Sequence, residues 1–160
     1  MKKMSAKAVT VVVFAVMLGL TARQVPASGQ NAIGRRIEGT WQVQVTARNC
    51  QSGIVILTVP GLHTFLPGGS MLSNPAINPA LLGTGHGVWK HVGGQSFTNT
   101  VLLFRFNPDG TYAGTTKVTR SIELADNSNE LTSTDRAEAV DPNGNLIETR
   151  CATVTGRRLE

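Results

Sequence analysis

The sequence predicts an all-β protein, an eight-stranded antiparallel up-and-down barrel, on three observations. Between Thr98 and Thr155, long runs alternate apolar and polar residues with a period of two, the mark of strands with one buried face. Two turns of one design, Asn107-Pro108-Asp109-Gly110 and Asp141-Pro142-Asn143-Gly144, separate those runs. In each, Pro pre-sets φ at the first corner and Gly supplies the left-handed residue that closes a three-residue hairpin loop. Beyond the N-terminal segment no strong helix is apparent, and about eight strands joined mostly by short turns close into a barrel, which also leaves no edge to protect.

The elements follow in order. Lys2, Lys3 and Lys7 precede an apolar run from Ala8 to Leu20, the build of a secretory signal peptide and too short to span a bilayer. Val25-Pro26-Ala27 points to cleavage after Ala27, with Ala22 as a second site. Residues 1–27 are therefore read as signal peptide, 28–36 as a flexible lead-in and 37–160 as a single barrel domain, secreted or periplasmic, with no stable membrane anchor after cleavage. Of the formal net charge of +5, four positive charges lie on Lys2, Lys3, Lys7 and Arg23. The domain left behind is nearly neutral, which excludes a basic nucleic-acid face.

Trp41, Val43, Val45 and Ala47 alternate with polar residues in a first strand. Ile54 to Val59 is a continuous apolar run, expected as a buried strand that Pro60-Gly61 kinks before His63-Thr64-Phe65 resumes it. Leu66-Pro67-Gly68-Gly69 turns the chain into Ser70–Ser73. From Asn74 to Gly85 the Pro and Gly spacing predicts a long irregular loop with one helical turn near Pro79-Ala80-Leu81-Leu82, of the length that often serves as a lid. Gly87–Val92 is a short strand, and a Gly93-Gly94 hairpin would set Trp89 opposite Thr98, pointing inward, with His91 at the mouth.

The turn chemistry also predicts register. If Asn107 pairs with Thr111, Phe106 faces Tyr112, Phe104 faces Gly114, Leu102 faces Thr116 and Thr98 faces Arg120. The next hairpin sets Leu124 opposite Leu131, Ile122 opposite Ser133, Arg120 opposite Asp135 and Val118 opposite Ala137. The inner face is then Leu102, Phe104, Phe106, Tyr112, Val118, Ile122, Leu124, Leu131, Ala137 and Ala139. In the last strand a three-residue loop would turn Ile147, Thr149, Cys151 and Thr153 inward, and a two-residue loop would instead turn in Glu148 and Arg150. Arg120 and Asp135 break the apolar pattern, and a hydrogen-bonded pair is the tolerable way to keep both there.

Cys50 and Cys151 are the two cysteines, and in an exported chain they read as a disulfide. Closure makes the first and last strands neighbours, so the bond would staple the seam. No Cys-x-x-Cys exists, His86 and His91 point to opposite faces of one strand, and His63 is isolated, so no metal site is predicted. Gly83-Thr84-Gly85-His86-Gly87 lacks the Lys of a phosphate loop, no nucleophile elbow is present, and no cofactor is implied.

Gly39-Thr40-Trp41 resembles the Gly-x-Trp signature of lipocalins and the wider calycin group. The resemblance implies that Trp41 plugs the closed end of the barrel and that an Arg near the last strand, Arg150, Arg157 or Arg158, packs across it. The whole mature chain is similar to small secreted bacterial lipocalin-like proteins, and the barrel also resembles the allene oxide cyclase and dirigent type. Both resemblances imply a pocket in the lumen.

The function expected is that of a non-catalytic exported barrel binding a small hydrophobic or amphipathic molecule. Trp89, Phe104 and Tyr112 would form its walls, His91 would lie at its mouth, and Arg120 with Asp135 would orient a polar group. An isomerase or cyclase of the allene oxide cyclase type is the alternative, with Asp135 as acid–base and Tyr112 or Arg120 stabilising charge. A third reading is a packed envelope or interaction module, a homo-oligomer if Val101, Leu103 and the 74–85 loop form an outward patch.

Overall fold

The two Pro-Gly loops form as their residues require. Asn107 N–H donates to Thr111 O at 2.8 Å and Asp141 N–H to Asn145 O at 2.9 Å, with Gly110 and Gly144 at φ +83° and +87°. They belong to a computed structural model that describes residues 35–160. The expected signal peptide and most of the expected 28–36 lead-in lie outside the described residues. Where the lead-in is described, Arg35–Ile37 forms a 3₁₀ turn, and Arg36 Nε donates to Ser128 Oγ at 2.6 Å.

The strands are β1 (Gly39–Arg48), β2 (Val55–Phe65), β3 (Ser70–Pro75), β4 (Gly85–Gly93), β5 (Ser96–Phe106), β6 (Tyr112–Leu124), β7 (Glu130–Val140) and β8 (Leu146–Arg158). Each pairs with the next, and β8 returns to β1, giving a closed eight-stranded antiparallel barrel. Cys50 and Cys151 are disulfide-bonded with Cα atoms 5.0 Å apart, at the end of the β1–β8 seam.

The β6–β7 register is the expected one throughout, including Arg120 opposite Asp135. On β5 the expectation is overturned. Phe106 pairs with Tyr112, but Arg105 then pairs with Gly114, leaving Ala113 as an extra residue on β6. This bulge moves the odd-numbered residues of β5 inside, so Val101 and Leu103 are buried while Leu102, Phe104 and Tyr112 are exposed. The backbone explains the position. Gly114 has φ +108°, and a Cβ there would lie 2.0 Å from Val140 O, so the bulge closes only around glycine.

The same device recurs at two more hairpins of this end. On β8, Ile147 is the extra residue, since Val140 pairs with Leu146 and Ala139 with Glu148. The loop is the three-residue one, yet the bulge turns Glu148 and Arg150 inward and leaves Ile147 exposed, reversing the register expected for that loop. On β2, Ile56 is the extra residue between Leu57 and Val55. Ile54, Val55 and Ile56 are exposed, so the continuous apolar run is not a buried strand. Pro60 and Gly61 sit within an unbroken ladder opposite Gln44 and Val43. Between β4 and β5 a further irregularity shifts Trp89 opposite Asn99 rather than Thr98, still pointing inward.

Side-chain size then divides the interior. Ile37, Trp41, Phe65, Met71, Trp89, Phe97, Ile122, Leu124, Leu131 and Val154 pack the end where the β6–β7 loop lies. At the other end the inward positions are Ala47, Gly85, Gly114, Thr116, Ala137, Ala139 and Ala152, and a cavity opens.

Candidate functional site

The packed end is built around Trp41, which is fully buried and donates its indole N–H to Ile37 O at 2.8 Å. Among the three arginines near the last strand, Arg158 lies over this ring, its guanidinium carbon 4.4 Å from the centroid, a cation–π contact. Arg158 also donates to Glu38 O at 2.6 Å, to Ser128 O at 3.0 Å and to Arg36 O. It therefore satisfies three carbonyls from the chain entry and the β6–β7 loop, groups that the sheet cannot pair.

The cavity occupies the opposite half, with a volume of about 490 Å³. Val45, Leu57, Val59, Leu103, Val118 and Ala137 wall it. The 76–84 loop borders it through Ile77, Leu81 and Leu82. That loop contains the expected helical turn, Leu82 N–H donating to Asn78 O at 3.2 Å, and is fixed to β5 by Phe106 N–H to Leu81 O at 3.0 Å and Gly83 N–H to Phe104 O at 2.9 Å.

A polar layer separates the two halves. Arg120 Nε donates to Asp135 Oδ2 at 2.6 Å and Nη2 approaches Ser73 Oγ at 3.4 Å. Ser133 Oγ donates to Asp135 Oδ1 at 2.6 Å. Both side chains of the ion pair are buried, 5% and 3% exposed, so the pair survives by hydrogen bonding rather than hydration. Arg120 Nη1 is left without a partner, and Arg120 and Asp135 border the cavity. His63 joins them, buried on β2. Burial, and after it the Arg120 charge, push its imidazole down to about 3, so it is neutral at physiological pH.

The residues singled out from the sequence are distributed as follows. Arg120 and Asp135 face the cavity. Trp89 points inward but belongs to the packed half, against Phe65 and Phe97, with its indole N–H on Leu66 O at 3.0 Å. His91 stacks near Phe97, ring centroids 5.0 Å apart, and contacts Gly94 O, so it lies at the end away from the mouth. Phe104 and Tyr112 pack edge to face on the outer surface, and so do not wall the lumen. Val101 and Leu103, expected in an outward patch, are core. Sequence reasoning did not single out Arg105, Ser73, Ser133 or the Leu57–Val59 wall. The signal available for Arg105 was Gly114, a glycine inside a strand pattern, which marks a bulge and so a change of face. Among the described residues no three His, Cys, Asp or Glu side chains cluster as metal ligands.

No family model matches the chain and no curated protein matches it. Among solved structures it is similar to a chain from the structure of EF1p2_mFAP2b bound to DFHBI, with 18% identity, a TM-score of 0.57, and coverage of 78% of this chain and 95% of that one. At that identity the likeness bears on the fold alone.

Proposed function

We propose that this chain is an exported, non-catalytic binding protein that takes a small hydrophobic or amphipathic molecule into the open half of its barrel. The observation that carries this reading is the division of the interior: an apolar-walled cavity of about 490 Å³ standing on a buried polar floor. An apolar body would displace water from the walls, and a polar atom at its inner end would meet the unpartnered Nη1 of Arg120. The neighbour in the solved structures is described as bound to DFHBI, which agrees with a barrel of this build accepting a small ligand. The Cys50–Cys151 disulfide supports an oxidising compartment, secreted or periplasmic. Binding is favoured over acid–base chemistry because both Asp135 carboxylate oxygens already accept hydrogen bonds, from Arg120 and Ser133.

The test is titration of the purified chain with the neutral dye Nile red, beside native mass spectrometry for co-purified small molecules. Binding with a blue-shifted emission is expected for the wild type and its loss in Ala137→Trp, which fills the cavity from β7. A folded wild type that takes up neither dye nor any member of a panel of apolar molecules would end the proposal.

A further inference from the structure

We infer that the cavity is selective for a singly anionic amphipath and that Arg105, at the mouth, is the anion's anchor; this rests on the binding reading above. Besides His63, three arginines and two carboxylates border the cavity: Arg105, Arg120, Arg150, Asp135 and Glu148. At the floor, Arg120 and Asp135 neutralise each other at 2.6 Å, and His63 beside them is uncharged. Nearer the mouth, Arg150 is paired with Glu148 at 2.5 Å. Arg105 has no ion-pair partner among the described residues, and its buried Nη1 has no hydrogen-bond acceptor. The cavity thus holds one uncompensated positive charge.

The other acids of this end are engaged elsewhere. Asp109 is held by Thr111, Asp141 by Asn145 and Glu138 by Arg136, so none is committed to Arg105. The backbone around it is fixed: Arg105 bridges Leu82 on one side and pairs with Gly114 on the other. A guanidinium held in this way, partly out of water with a bare N–H, offers an oxyanion more than it would in bulk solvent. At the floor an anion would instead add negative charge next to Asp135, so the Arg120 Nη1 site suits a neutral carbonyl or hydroxyl oxygen. The ligand class is an elongated apolar molecule whose carboxylate, or comparable oxyanion, sits at the mouth with its tail directed inward.

The experiment compares dodecanoate with dodecanol as competitors of Nile red at neutral pH, in the wild type and in Arg105→Gln. Dodecanoate is expected to bind about tenfold more tightly than dodecanol, with the advantage shrinking as salt rises. Arg105→Gln should remove that advantage and leave dodecanol affinity within about twofold, which also shows that the variant is folded. Equal affinity of the two competitors in the wild type, or a parallel loss of both in Arg105→Gln, would overturn the anion site while leaving the cavity intact. If neither competitor displaces the dye and the dye itself does not bind, the cavity reading fails and this inference falls with it.

Discussion

Along β1, Trp41 and Val43 are sealed in the core, whereas Val45 and Ala47, on the same face further along, border the cavity. β7 repeats the contrast in the same order, from buried Leu131 to Ala137 and Ala139. The same eight strands build both halves, so strand number does not decide whether the lumen is filled. Residue size does. Large aromatic and branched side chains meet across one half, while in the other the aliphatic walls of Val45, Leu57, Val59 and Leu103 face the small residues Ala47, Thr116, Ala137, Ala139 and Ala152 and leave a cavity, with Arg120, Asp135, Ser133 and Ser73 as the boundary. Eight strands leave an interior that can be packed solid or hold one small ligand, and this chain does both in one barrel.

The contrast can be broken in several ways. The largest effect is expected at the mouth. Replacing Cys50 and Cys151 with serine opens a loop spanning 101 residues, at a cost on the order of 4 to 5 kcal/mol in the chain-entropy model. Guanidinium unfolding of the oxidised wild type and the double variant measures it, and a loss below about 1 kcal/mol would show that the seam does not depend on the bond. Next, Trp41→Ala in the packed half should destabilise by about 3 to 5 kcal/mol, since it creates a void. Leu57→Ala, already beside an empty volume, should cost about 1 kcal/mol; equal losses would erase the distinction between the halves.

The boundary layer gives the third measurement. Asp135→Leu alone strands the Arg120 charge and is expected to cost about 3 kcal/mol, while Arg120→Met/Asp135→Leu should return to within about 1 kcal/mol of wild type. A double variant as unstable as the single one would mean that the pair contributes more than mutual compensation. The same layer makes stability depend on pH. His63 has a lowered folded-state value of about 3 against an ordinary 6.5, so the unfolded chain binds a proton between those values that the folded chain does not. Stability is full above about 6.5 and falls with acidification toward 3, by roughly 1 kcal/mol per pH unit from this group. Thermal melts of wild type and His63→Phe between pH 7 and 4 should diverge, with the variant losing less. The smallest effect is expected outside the barrel: Phe104→Ser should change stability by less than about 0.5 kcal/mol and leave Nile red binding unaltered.

Much of the fold was legible because turn chemistry and period-two alternation agreed. The β6–β7 hairpin shows this best, since Val118, Ile122 and Leu124 leave one choice of face and the Arg120–Asp135 pair falls out of the register. On β5 the pattern was ambiguous: Leu102, Phe104 and Phe106 are as apolar as Val101 and Leu103, and only the bulge at Ala113 decides between them. On β8 loop length misled: the loop is the three-residue one, but Ile147 is an extra residue, and Glu148 and Arg150 turn inward as an ion pair. The cavity was expected in the lumen, yet its walls were misassigned. Wall identity depends on parity, and a single extra residue reverses parity for a whole strand. The fixed hand of a loop glycine is local information; a bulge answers to the neighbouring strand, as Gly114 does to Val140 O.

Arg158 joins residues at both extremes of the described chain: it rests on Trp41 and holds the carbonyls of Arg36, Glu38 and Ser128. Its strand is also the one that gives β1 its second neighbour. During synthesis neither the end seal nor the final ladder can form until β8 has emerged, and the partial sheet keeps two raw margins until then. Such late, long-range closure favours slow folding.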